Sequence, residues 1–490
     1  MANLKNQSPN KNSTVNKRSS KNSLGKNSPS KKSATQKLLL LQQVNTFLTA
    51  VFLEKKLFNP HLVIGLSGGL DSCVLLHLLA QPHQNLPFQL SAHHVHHGLS
   101  THADTWVDFC QTYCKQLNIA LTISKVNVNV DSGLGIEATA RKLRYAALMN
   151  SNADFICTAH HQDDQAETVL LQLARGAGVK GLAGMAQIDD TRKLLRPLLH
   201  TSRADLEAYA KQHQLTWVED ESNANTQFDR NFVRHALLPI FLQQYPAIKH
   251  TLARTAQHLG EANHLLDTLA AQDASDYLTS DSSQKKLALT QLMHLNAARI
   301  NNVLRWWLAQ NQVLMPSTAQ LQQIAQQLMH AKSDATIKIE LYSEDSESRF
   351  TLRRYQNCAY LNRAYSLGEI TDILLVDYIW QGEEKLQLTN QTYLTFHQKM
   401  GQGLAIRHLN NKQLQVKNRT GGERFKPDLN RPSRSLKTVL QTAAMPPWLR
   451  SQLPLIFLDD SLVVIPNIAV DANYRAQITE MGLIVEWHSK

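Results

Sequence analysis

At 490 residues, with 43% hydrophobic and 19% charged side chains, the chain is too long for one hydrophobic core and reads as a soluble protein of two or three domains. No apolar run approaches the roughly 18–20 residues of a membrane span, and five scattered cysteines (Cys73, Cys110, Cys114, Cys157, Cys358) argue against a disulfide framework and fit a reducing compartment. The net charge of +11 is uneven: residues 1–36 hold seven Lys, one Arg and no acid, which leaves 43 basic and 40 acidic groups elsewhere.

Residues 1–36 are a Lys/Asn/Ser-rich stretch with too little apolar surface to offset the entropy of ordering, and read as a disordered basic tail. From 37 to 246, apolar runs of strand length (62–66, 89–95, 120–126, 154–158) alternate with helical patterns (71–80, 103–118, 137–150, 162–174). That alternation predicts an α/β fold with a doubly wound parallel sheet, and ligands beyond the carboxyl ends of its strands. Residues 247–365 begin as an Ala/Leu/Gln-rich stretch and predict a mainly helical domain, with a short β-like stretch toward its end (337–341, 350–361). Residues 366–395 read as a linker, and 396–490 as a small mixed α+β domain.

The first predicted strand runs into Ser67-Gly68-Gly69-Leu70-Asp71-Ser72 and then a helix. Two glycines let main-chain N–H groups approach an anion, two hydroxyls add donors, and the helix N-terminus adds its dipole. No GxxxxGK[ST] loop occurs. The second strand ends in His93-His94-Val95-His96-His97, where alternation sends His94 and His96 to one face and the others opposite, so the histidines do not converge on a metal. Glu137 and Arg141 stand one turn apart on the next helix. The fourth strand ends at Thr158-Ala159-His160-His161-Gln162-Asp163-Asp164-Gln165-Ala166-Glu167. On a helix, His160, Asp163 or Asp164, and Glu167 share a face. Carboxylates facing a triphosphate would repel it unless they hold Mg²⁺ or a cationic substrate, and lysine is such a cation. A Gly-rich basic loop follows (Arg175, Lys180), then Arg196-Pro197-Leu198-Leu199, and Arg230 and Arg234 in an RNxxR arrangement. Residues 417–450 hold eight basic groups against two acids, among them Arg424, Lys426 and Arg434, a patch suited to RNA phosphates.

The strand–SGGxDS–helix arrangement resembles the pyrophosphate loop of the PP-loop (N-type) ATP pyrophosphatases. Taken with the later motifs in their order, the chain resembles the tRNA(Ile)-lysidine synthetase family from about residue 60 to the end. That resemblance implies ATP and Mg²⁺ as cofactors, L-lysine and tRNA(Ile) with a CAU anticodon as partners, and ligation of lysine to carbon 2 of the wobble cytidine through an adenylated intermediate, in the cytoplasm. It implies an ATP site of Ser67, Gly68, Gly69, Leu70, Asp71, Ser72 and His94, with Asp71 and Asp163 toward the metal. Asp164, Glu167 and Glu137 would take lysine, and Asp71, Arg141, His160, Asp164 and Glu167 would carry the chemistry. Arg175, Lys180, Arg230, Arg234, Arg424, Lys426 and Arg434 would meet tRNA through the catalytic, helical and C-terminal domains. The oligomeric state is left open, a homodimer being one option. A tRNA thiolase of the same superfamily is the rival, although no CxxC pair is present. A non-catalytic RNA-binding protein on this fold conflicts with the intact loop and carboxylates.

Overall fold

The computed structural model describes residues 29–81, 86–98, 100–128, 136–221, 225–274, 285–290, 292–331, 337–343, 348–364, 377–389, 392–410 and 412–489, and within the helices and strands it leaves the side chains of 29–38, 136, 137, 285, 363, 364 and 489 undescribed. The chain forms two compact units, Met1–Asn263 and His264–Lys490.

The first unit opens with α1 (Pro29–Glu54). Residues 29–36, expected in the disordered tail, are its first two turns. The reason lies further along, where Leu40, Val44, Leu48 and Val51 recur at helical spacing and bury against the core, so the helix nucleates there and extends backwards. There follow β1 (His61–Gly65), α2 (Leu70–Leu79), β2 (Gln89–His96), α3 (Ala103–Gln116), β3 (Ala120–Lys125), α4 (Ile136–Met149), β4 (Phe155–Cys157), α5 (Gln162–Ala174), α6 (Val179–Leu182), β5 (Ile188–Asp189), β6 (Leu194–Leu195), α7 (Arg203–Gln212), α8 (Asp229–Phe232), a π-helical turn at Val233–Leu237, α9 (Leu238–Gln244) and α10 (Ile248–Ala274), which crosses into the second unit. The sheet runs β3-β2-β1-β4-β6-β5, parallel except for β5.

This strand order positions the site. The chain winds outward from β1 through β2 to β3, then returns to lay β4 on the other side of β1. The crevice of such a sheet opens at the carboxyl ends of β1 and β4, where the winding reverses. β1 is central, with Leu62, Val63 and Ile64 buried, and α2 behind it is apolar nearly all round. The loops leaving β1 and β4 therefore face each other across the reversal point.

The second unit contains β7 (Lys285–Ala288), α11 (Ala297–Gln310), α12 (Thr318–His330), β8 (Lys338–Tyr342), β9 (Arg349–Tyr355) and β10 (Cys358–Ala364). The expected helices are present, but they pack on a four-stranded antiparallel sheet, β7-β10-β9-β8, around Trp307, Leu304 and Leu352. Next come β11 (Asp377–Ile379), β12 (Lys385–Gln387), β13 (Thr392–Met400), β14 (Leu404–Ala405), β15 (Leu414–Lys417), β16 (Arg424–Phe425), β17 (Arg434–Ser435), α13 (Leu436–Thr442), α14 (Pro447–Arg450), β18 (Leu455–Leu458), β19 (Ser461–Ile465), β20 (Ala469–Val470) and β21 (Met481–Ser489). The stretch read as a linker, 366–395, thus contributes β11 to β15 and β12 to β13. These three-residue strands carry no alternation of their own and exist because a longer partner supplies the ladder.

Candidate active site at the sheet reversal

The β1 loop is shaped by its main chain. Gly68 has φ +86°, and a Cβ there would lie 2.9 Å from Val218 Cγ2, so only glycine fits. Its carbonyl accepts from Val218 N–H at 3.0 Å and from the Cys73 thiol at 3.3 Å. Gly69 is the N-cap of α2. The Ser67 and Ser72 hydroxyls lie 3.1 Å apart, and Ser72 Oγ donates to Gly69 O at 2.9 Å. Leu70 and Asp71 open α2, so their N–H groups are unclaimed by the helix and available to an anion. His94, expected beside adenosine, is buried and donates from Nδ1 to Leu66 O at 2.9 Å. It supports the loop from below.

Asp71, in the first turn of α2, accepts from Arg203 Nη1 at 2.9 Å through Oδ2, which is also 3.5 Å from His161 Nε2. Its other oxygen, Oδ1, is buried with no hydrogen-bond partner among the described residues. An orphaned carboxylate oxygen beside an anion loop fits a divalent cation. Asp163 does not fit one. Its Oδ1 accepts from Arg203 N–H at 3.1 Å and its Oδ2 from Lys249 Nζ, so both oxygens are used in joining α5 to α7 and α10. Burial alone would raise the Asp163 carboxyl, but Lys249 holds it below its ordinary value. Asp163, expected toward the metal, is thus engaged by Lys249 and the Arg203 N–H.

On the facing side, His161 caps α5, accepting at Nδ1 from Asp164 N–H, while Asp164 accepts from His161 N–H at 3.0 Å. Burial works against a charge on His161, yet Asp71 and Asp164 together raise its proton affinity. Asp164 and Glu167, one turn apart, meet Arg230 and Arg234, also one turn apart. Arg230 donates to Asp164 at 2.9 Å and to Glu167 at 2.8 Å, and Arg234 donates to Glu167 at 2.6 and 3.0 Å. Glu167 is 1% exposed. Burial would push the Asp164 carboxyl up, but the charges of His161 and Arg230 hold it down to about 2. Arg230 and Arg234, expected at RNA phosphates, are thus bound to carboxylates here, and the two pairs of charges cancel.

His160 lies beside this cluster, its Nδ1 2.9 Å from Thr158 Oγ1. Burial, against the opposing pull of Asp164, keeps its proton affinity well below the ordinary value, so the ring is neutral at pH 7. Arg141 is half-buried on α4, its guanidinium carbon 5.3 Å from the centre of the Tyr145 ring. The Glu137 side chain lies outside the described residues. Arg175 pairs with Asp229 at 3.0 Å on the surface and Lys180 is exposed. In the second unit Arg424 donates to Ser433 Oγ at 3.0 Å, while Lys426 follows β16 and Arg434 lies in β17, both half-exposed. Sequence reasoning missed Arg203 and Lys249, because each acts on a carboxylate from another element and neither sits in a motif; His161 stood in the α5 motif without a role, which its capping of α5 and its approach to Asp71 supply.

A family model described as "PP-loop domain" matches residues 40–241, "TilS substrate binding domain" matches 287–360, and "TilS substrate C-terminal domain" matches 414–487. The tRNA(Ile)-lysidine synthase of Nitrosomonas europaea is 40% identical over 436 residues, which is 88% of this chain and 92% of that one. Those of Actinobacillus pleuropneumoniae and Coxiella burnetii are 40% and 36% identical, covering 82% and 87% of this chain and 95% and 93% of their own lengths. With the three domains in order and the site assembled at the sheet reversal, the chain belongs to the tRNA(Ile)-lysidine synthase family.

Proposed function

We propose that this chain uses ATP to join the ε-amine of lysine to carbon 2 of the wobble cytidine in tRNA(Ile) bearing a CAU anticodon, releasing AMP and pyrophosphate. The observation that carries the reading is the placement of an anion-binding loop and a carboxylate pair on opposite sides of one sheet reversal. The β1 loop holds the β- and γ-phosphates through main-chain N–H groups and the Ser67 and Ser72 hydroxyls. The cytidine O2 attacks the α-phosphate, the bond to the β-phosphate breaks, and pyrophosphate leaves. Asp71, through Oδ1, would hold Mg²⁺, which neutralises phosphate charge when bound.

In the second step the amine attacks carbon 2 and AMP departs with the oxygen. An ammonium group of reference pKa ~10.4 must first lose a proton. Asp164, held near 2, anchors the ammonium and is a poor proton acceptor, which leaves Glu167 for that role. Lysine reaches the two carboxylates only by displacing Arg230 and Arg234, which are then available to an RNA phosphate. Sulfur transfer is disfavoured, because Cys73, Cys110, Cys114 and Cys157 are buried and burial raises each thiol.

Pyrophosphate release and labelled-lysine transfer, each measured with and without CAU-bearing tRNA(Ile), test the reading. It requires both to depend on that tRNA. Pyrophosphate release without lysine transfer, at saturating lysine, contradicts it.

A further inference from the structure

Two sets of arginines in the first unit differ in their partners. Arg203, Arg230 and Arg234 face carboxylates at 2.6–2.9 Å. Arg141, Arg144 and Arg196 have no carboxylate at ion-pair distance among the described residues, although Asp189 acts on Arg196 from further away. Arg141 and Arg144 lie three residues apart on α4, with guanidinium carbons 5.3 and 5.6 Å from the centre of the Tyr145 ring. Arg196, directly after β6, is only 5% exposed. Its Nη1 donates to Ala186 O at 2.6 Å and its Nε has no partner among the described residues. Tyr145 acts electrostatically on both Arg144 and Arg196, which places the two guanidinium groups about one phenol.

Buried cations without a counter-ion are costly, and an anion that forms charge-assisted bonds to them relieves the cost. Burial, followed by the charge of Arg141, weakens the hold of Arg196 on its proton. The identity of the anion follows from chemistry. The leaving phosphates of ATP already have the β1 loop. Free lysine carries two ammonium groups and one carboxylate, so three unmatched guanidinium groups repel it. Single-stranded RNA brings one phosphate per nucleotide, and bases that stack on aromatic rings and guanidinium planes.

We propose that Arg144 and Arg196, set about Tyr145, clamp a phosphodiester of the RNA beside the reacting nucleotide. The proposal rests on the reading of this site as RNA-modifying.

The test uses full-length Arg144→Gln and Arg196→Gln proteins and a CAU-bearing tRNA(Ile) transcript. Filter binding without ATP or lysine gives tRNA affinity at two salt concentrations, and separate assays give KM for ATP and for lysine. Each variant should bind tRNA roughly tenfold more weakly at low salt, with the salt slope shallower by about 0.7 for each phosphate no longer neutralised. Both KM values should stay within about twofold. Loss of a buried arginine can unfold a chain, so half-buried Arg144 carries the test, and Arg144→Lys should restore part of the affinity. A rise in the KM for ATP or for lysine with tRNA affinity and salt slope unchanged overturns the proposal. Because binding is read without turnover, an unaltered protein that binds tRNA but transfers no lysine refutes the proposed function and leaves the clamp standing.

Discussion

The loop after β1 and the carboxylates on α5 face each other across the same crevice, yet they are built differently. The loop takes its shape largely from main-chain geometry within eight residues, one glycine at positive φ, a helix N-cap and two hydroxyls close to each other, braced by the Val218 N–H and by His94. The α5 cluster takes its shape from ion pairs to residues 63 to 70 positions away. The loop can therefore lose a side chain and keep its form, whereas the cluster cannot lose a charge without stranding its partner.

The largest effect expected from that difference is on turnover. Asp71→Ala and Ser72→Ala should each lower tRNA-dependent pyrophosphate release by roughly 10²–10³-fold, the scale of removing a preorganised electrostatic interaction. Thermal unfolding should stay close to that of the unaltered protein. A variant that unfolds early would show the loop to be as dependent on its side chains as α5.

The next effect is on stability. Glu167→Ala leaves two arginines facing a buried void, and breaking a buried pair by removing one partner costs about 3–5 kcal/mol. Denaturant unfolding of Glu167→Ala against Ser72→Ala compares the two regions directly. Equal midpoints would contradict the distinction.

A smaller effect should appear with pH. The folded pKa of His160 lies below its unfolded value, so the unfolded chain binds the proton first and stability falls as pH drops below about 6.5. His161 is raised and acts in the opposite sense, contributing stability at low pH that is lost as pH rises through its folded pKa. Asp164 is depressed to about 2, and its contribution should disappear between roughly pH 4 and 2. In His160→Gln, unfolding measured from pH 7.5 to 5 should lose part of its acid slope. An unchanged slope would show that His160 is not kept neutral by burial.

The smallest effect concerns the basic surface. Neutralising Arg424, Lys426 and Arg434 together should raise the KM for tRNA several-fold at low salt and less at high salt, through diminished counterion release. Deleting residues 1–28 should change it less, although that removes six basic groups, since those charges lie outside every matched family domain. A more damaging deletion would reverse the ranking.

The same contrast explains how far the sequence can be read. Ser67 to Ser72 announce the loop because its glycines, hydroxyls and helix N-cap are adjacent in the sequence, although Val218 and His94, which brace it, are not, and the apolar runs at β1 and β4 announce the sheet because burial on both faces leaves a continuous signal. The α5 motif names the carboxylates but not their partners. Arg230 and Arg234 read as RNA-binding in the sequence because a charge's sign is visible there while its counter-ion is not. Asp163 and Asp164 are adjacent and chemically identical. Only the fold shows that one joins three helices through Lys249 and Arg203 N–H while the other faces the crevice. The strand β7 and the short β11 and β12 carry no pattern of their own and are defined by pairing.

The central claim is that α5 serves lysine and the β1 loop serves ATP. Glu167→Gln separates them most directly, with KM for lysine and for ATP measured on the same preparation at a temperature where the variant is folded. The account predicts that kcat for lysine transfer falls, because the proton acceptor is gone, and that the lysine KM rises roughly 10- to 150-fold, because one of the two carboxylates facing the ammonium is lost, while the ATP KM moves less than about twofold. An equal rise in both would place Glu167 at the metal and triphosphate, and would contradict the division of the site.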